Sequence, residues 1–122
     1  MILLILSLLI CHLLADFSPL STDWMLRAKS KGAPFFPIFV HAGVHALLML
    51  VVLFFFIPIT LAFQLAAFQW ICHFVIDVCK GKMSFYFPVF ANPSDKRYWM
   101  LFGFDQFLHQ TVILAMAWFI FR

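Results

Sequence analysis

Charge is scarce in this chain. Charged residues make up 11% of its 122 positions, glutamate is absent, and 66% of the residues are hydrophobic. A soluble globular domain carries about a quarter charged residues, so this composition excludes that class and points to a membrane protein. Four apolar stretches, Ile2 to Phe17, Phe35 to Ile57, Ile59 to Cys79 and Trp99 to Phe121, take up most of the length. The last three reach the roughly 20 residues that a helix needs to cross about 30 Å of hydrocarbon, and the first is somewhat short. The expected fold is all-α, a single domain over residues 1–122 built as a bundle of four transmembrane helices.

Cysteine is scarce too, and its spacing excludes two further classes. Cys11, Cys72 and Cys79 lie in or at the ends of apolar stretches with no CxxC pair, which argues against a disulfide framework or a thiolate zinc site. They read as small packing residues. The first stretch lacks a basic leader and a small-residue cleavage pattern, and Ile10 before Cys11 spoils a lipoprotein site, so it reads as a retained helix. A cleaved signal is the alternative, and it would discard His12 and Asp16.

Where charge is missing also orients the chain. The turn around Pro58 has none, whereas Arg27, Lys29 and Lys31 fall in the first connection and Lys80, Lys82, Lys96 and Arg97 in the last. By the positive-inside rule both basic connections face the cytoplasm and both termini face out. The net charge of +3 then reflects topology and anionic lipid headgroups, so membrane lipid is the expected partner and nucleic acid is not. A homo-oligomer is compatible with this reading.

The scarce polar residues are not scattered. "ICHLLADF" at 10–17 and "ICHFVIDV" at 71–78 repeat one His-x-x-x-Asp pair, a weak sign that the chain is two helix pairs related by a pseudo-twofold. Between the members of each pair, "SPLSTDWMLRAKSKGAP" reads as a polar, turn-rich loop, and "GKMSFYFPVFANPSDKR" carries an aromatic run suited to the interface. The other two stretches hold pairs of their own, His41 with His45 and Asp105 with His109. Each apolar stretch thus has one i, i+4 pair, which places both side chains on one helix face.

Depth aligns these pairs. Counting about 1.5 Å per residue from the outer ends, His12, His45, His73 and His109 lie some 15–20 Å in, with Asp16, His41, Asp77 and Asp105 about 6 Å nearer the cytoplasm. The expectation is a layer of four imidazoles over a layer of three carboxylates and one imidazole. Ionisable groups in hydrocarbon cost roughly 2.5–3.5 kcal/mol each, so eight at one level need a strong compensating interaction. A divalent cation supplies it. Polar glue between helices, a proton relay and haem are the alternatives weighed against it. Imidazole with carboxylate and no thiolate suits zinc first, then iron or manganese, as one ion or two. All eight residues are candidate ligands, and Asp16, Asp77 and Asp105 are also candidates for a general base.

Other polar residues flank the level. Gln69 lies one turn outward of His73, Lys80 about one turn beyond Asp77, and Gln106 beside Asp105. Lys80, Gln106, Lys96 and Arg97 are candidate substrate contacts; for Lys80 the plainer reading is snorkelling, and for Lys96 and Arg97 it is a topology signal.

His12-x3-Asp16-Phe17, His73-x3-Asp77-x2-Lys80 and Asp105-Gln106-x2-His109 resemble, over essentially the whole chain, a small bacterial inner-membrane family known as a domain of unknown function. The resemblance implies a membrane-embedded four-helix domain in the inner, cytoplasmic membrane. The His pairs are more distantly similar to predicted membrane-bound metal-dependent hydrolases, which implies metal-assisted hydrolysis. Two functions compete on the residues themselves. One is a metal-dependent hydrolase acting on a lipid ester, amide or phosphoester at the cytoplasmic leaflet; the other is a metal or proton-coupled transporter or sensor subunit. The bare outer halves, such as "VVLFFFI" and "MAWFIF", leave no polar path to the far side and favour chemistry or sensing over transport.

Overall fold

In α1 (Ile2–Phe17) the buried residues are Leu4, Leu8, Cys11, His12 and Ala15, each three or four positions from another, so that one stripe of the helix faces its neighbours. The computed structural model describes residues 1–122 and is all-helical. After α1 come α2 (Asp23–Lys31), α3 (Phe35–Leu53), α4 (Ile59–Tyr86), a short 3-10 turn (Pro88–Ala91) and α5 (Lys96–Phe121). Of these, α3, α4 and α5 are long and apolar enough to cross a membrane, while α1 is a shorter apolar helix of 16 residues. Exposure runs opposite to that of a soluble protein: Ile71, Phe104, Phe107 and Trp118 point outward, and the five histidines with Asp16, Asp77 and Asp105 point inward.

Four helices were expected and five are found. The first connection is not a loop: Thr22 caps α2 by accepting from the Met25 N–H, Asp23 sits in the first turn, Lys29 and Lys31 sit in the last, and Gly32 closes the helix at φ 68°. Each of these is an ordinary helix signal, and together they outweigh the polar, turn-rich composition. Other boundaries shift as well. α3 ends at Leu53, short of Ile57, because Phe54 to Ile57 form a turn before Pro58 opens α4. α4 runs on past Cys79 to Tyr86, and α5 begins at Lys96 behind an Asp95 cap.

The long helices close a ring in which α1 packs on α3, α3 on α4, α4 on α5 and α5 on α1. The two helices with His-x-x-x-Asp pairs, α1 and α4, therefore lie diagonally across it. α2 packs against α3 and α4. Close approach is possible there because Gly81 of α4 has no side chain: a Cβ would run into Gly32 and the Lys29 carbonyl. At the end away from α2, Leu4, Leu8, Met49, Leu53, Ile113 and Met116 fill the interior. Small residues such as Ala15, Ala42, Ala46, Ala62 and Ala117 let the backbones approach along the rest of the interior, the usual source of packing energy between helices in lipid.

Candidate metal centre

Each long helix delivers its i, i+4 pair to the interior. His12, His41, His45, His73, Asp77, Asp105 and His109 are all buried, and Asp16 keeps only 6% of its side-chain surface. Four imidazoles come together: the His45 and His73 ring centroids are 3.8 Å apart, His73 and His109 4.0 Å, and His12 lies 4.9–5.7 Å from all three. His41 stands one turn below His45, 4.8 Å away.

The carboxylates lie on the α2 side of these rings. Asp16 Oδ1 is 3.0 Å from His41 Nε2 and 3.3 Å from His45 Nε2, while Asp16 Oδ2 is 3.3 Å from His12 Nε2. Asp77 Oδ2 is 3.2 Å from His73 Nε2, and Asp77 Oδ1 is 3.4 Å from His109 Nε2. Asp105 Oδ1 is 3.4 Å from His109 Nε2, and Asp105 Oδ2 accepts from Lys80 Nζ at 3.2 Å and from the Gln106 amide at 3.3 Å.

Hydrogen bonding alone does not satisfy this cluster. His41 Nε2 has three close neighbours: Asp16 Oδ1 at 3.0 Å, Lys29 Nζ at 3.0 Å and His45 Nε2 at 3.2 Å. A ring nitrogen has either one proton or one lone pair, so it cannot serve an acceptor and an ammonium together. His73 Nε2, both Asp77 oxygens, Asp105 Oδ1 and the Nδ1 atoms of His12, His41 and His45 make no hydrogen bond. An unsatisfied buried polar atom costs about 1–3 kcal/mol, which makes this the most expensive region of the fold.

What the atoms share is a centre. One ligand atom each from Asp16, His41, His45 and His73 lie within 4.8 Å of one another, and so do those from His73, Asp77 and His109. Ligands at about 2.0–2.2 Å from an ion stand up to roughly 4.4 Å apart, so both groups are of a size to close on one. His73 belongs to both, and its Nδ1 faces the Gln69 amide at 3.3 Å, the kind of outer contact that orients a ligating imidazole. His12 and Asp105 fall outside both groups. His12 borders Gln106, 3.3 Å away, and Asp105 is tied to Lys80.

The residue that sequence reasoning missed is Lys29. Its ammonium donates to Asp16 Oδ1 at 3.1 Å and lies 3.5 Å from Asp77 Oδ2, with its side chain only 16% exposed. Burial disfavours the charge, but Asp77 and Asp16 outweigh it and hold the pKa above its ordinary value of 10.5. The signal was present in the amphipathic pattern of α2, whose buried Met25 and Ala28 share a face with Lys29.

A cavity of about 380 Å³ adjoins the cluster on the α2 side, lined by Asp16, Lys29, Lys80, Asp105 and Gln106 with Phe17, Phe90 and Phe102 as apolar walls. Lys80 and Gln106 thus both line this cavity. Lys96 and Arg97 do not line this cavity: Arg97 is exposed and forks onto Asp95 at 2.9 and 3.0 Å.

The family model described as "Protein of unknown function (DUF3307)" matches residues 3–122. The chain belongs to that family. Neither the curated proteins nor the solved structures compared give a match. The DUF3307 match therefore covers the whole cluster, from His12 to His109, together with α2 and its Lys29.

Proposed function

We propose that this chain is a four-span protein of the bacterial inner membrane, with both termini outside, whose His/Asp cluster holds one or two divalent transition-metal ions. Zinc is the first choice, and iron and manganese are alternatives. Its activity on this reading is hydrolysis of a lipid ester, amide or phosphoester at the cytoplasmic leaflet. The observation that carries it is the convergence of Asp16, His41, His45 and His73, with His73, Asp77 and His109 beside them, on buried space where hydrogen bonds fail. Because the two groups share His73, whose Nδ1 is taken by Gln69, that ring supplies one ligand to one ion.

A metal with an open position polarises a carbonyl or phosphoryl oxygen and brings bound water toward neutral pKa. The chain's own residues divide the remaining work. Asp77, enclosed on every side, suits a ligand; Asp16 bridges cluster and cavity; Asp105, outside both ligand groups and facing the cavity, suits the general base. The apolar plug of Leu4, Leu8, Met49, Leu53 and Ile113 supports chemistry over passage, since a carried ion needs polar groups on both sides of its site.

Metal analysis of detergent-purified protein tests the reading. About one or two equivalents of a transition metal are expected in wild type, with a large loss in His45→Ala and His109→Ala. No stoichiometric metal in wild type, or equal content in the variants, ends the proposal. Lipid extracts of cells with and without the protein should differ; unchanged lipids with altered cellular metal would favour transport.

A further inference from the structure

The helix between α1 and α3 puts an ammonium where the cluster calls for a cation. Lys29 Nζ lies 3.1 Å from Asp16 Oδ1, 3.0 Å from His41 Nε2 and 3.5 Å from Asp77 Oδ2, so it touches members of both ligand groups. A divalent ion and an ammonium cannot both take His41 Nε2, which has a single lone pair, and two cations this close repel each other across the shared carboxylates. An ion held by His41 with Asp16 takes the imidazole lone pair from Lys29 and sets a divalent charge beside its ammonium. The four-carbon lysine stem is flexible, and the adjoining cavity already borders Lys29, so Nζ can turn into it while α2 stays seated on Gly81.

Charge then changes sign around the cavity. With the imidazoles neutral and no ion bound, the carboxylates of Asp16, Asp77 and Asp105 exceed the ammoniums of Lys29 and Lys80 by one. One divalent ion turns that excess positive, and a second increases it. The loaded centre would face a cavity carrying two lysines, the hydroxyls of Ser84 and Tyr98, and an apolar wall of Phe17 and Phe102. Two ammoniums and a metal suit a dianion, and the apolar wall suits a chain attached to it.

Resting on the metal reading above, we infer that the ion displaces Lys29 and that the freed ammonium, with Lys80, forms a binding site for a phosphate monoester in this cavity. The phosphate is the shared chemistry of two sources, a lipid headgroup and a soluble phosphate. Lys29 is a counterion in the empty protein and a substrate contact in the loaded one.

Calorimetry tests this on zinc-loaded, dialysed protein in neutral detergent, titrated with inorganic phosphate and separately with a short-chain phosphatidic acid. Wild type should bind both more tightly with zinc than without. Lys29→Met and Lys80→Met should keep their zinc yet lose about tenfold or more in phosphate affinity, while Lys29→Arg keeps most of it. Tighter binding of phosphatidic acid than of phosphate assigns the headgroup source, and equal binding assigns the soluble one; both support the site. Wild type also reports without substitution: acetylation of Lys29, read by mass spectrometry, should speed up on zinc loading and slow again under excess phosphate. Zinc bound with phosphate affinity unchanged in Lys29→Met, or with Lys29 acetylation no faster, overturns this inference alone. A wild type that takes up no stoichiometric zinc overturns the metal reading and this inference together.

Discussion

At the residue scale, His73 is the position on which both ligand groups depend, and Gln69 is the contact that orients its ring. His73→Ala should remove at least one equivalent of bound metal, and Gln69→Leu should weaken binding by about 10–100-fold while leaving the ligands in place. His12→Ala should cost less than His73→Ala, because His12 lies outside both groups; competitive titration against a zinc indicator orders the three. Lys29 has the opposite signature. Lys29→Met leaves Asp16 and Asp77 without their ammonium, so the metal-free protein should lose about 3–5 kcal/mol, seen as a lower unfolding midpoint, and zinc should restore most of it. Equal midpoints for wild type and Lys29→Met in chelator would show that the ammonium is not needed there.

At the scale of elements, α2 and the start of α5 carry the predictions. Gly81→Val places a branched side chain against Gly32 and the Lys29 carbonyl, so α2 must lift from α4 and carry Lys29 away from Asp16. Faster amide exchange over residues 23–31, with little change in α5, is the expected outcome. The α5 cap gives a pH prediction. Side-chain hydrogen bonds from Arg97, then its backbone N–H, hold Asp95 down from an ordinary 3.8 to about 2. A depressed carboxylate stabilises the fold above the unfolded value and loses that contribution as pH falls through the folded one. Asp95→Asn should therefore speed amide exchange in the first turn of α5 at pH 7, and the difference should vanish below pH 2. A difference that persists in acid would mean that the carboxylate charge is not what holds the cap.

At the scale of the whole molecule, polarity is sorted across the bundle: an apolar plug at one end, the His/Asp cluster within, and α2 with a cavity at the other. If the basic connections face the cytoplasm, Asn92→Cys should react with a membrane-impermeant maleimide only after cells are opened. Labelling of Asn92→Cys in intact cells would invert the topology and put the cavity on the outer face. The bundle is also where metal and stability meet. Chelation should lower the unfolding midpoint of wild type, because an ion bound only by the folded state stabilises it by mass action.

Much of this was legible in the residues. Shortage of charge and the length of the apolar runs imply helices in lipid, since only helices and closed barrels satisfy their backbones there. The i, i+4 spacing of His12 with Asp16, His41 with His45, His73 with Asp77 and Asp105 with His109 implied one polar face per helix, because 3.6 residues per turn allow nothing else. Periodicity along one helix, however, says nothing about which partner lies across the gap. Only the packing of the ring decides that His73 lies within reach of two ligand groups, that His12 and Asp105 stand aside, and that Lys96 and Arg97 stay clear of the cavity. Lys29 belongs to the same class: its charge was visible as topology, but its place between Asp16 and Asp77 depends on α2 resting on the bare backbone of Gly81, a contact between residues far apart in the chain.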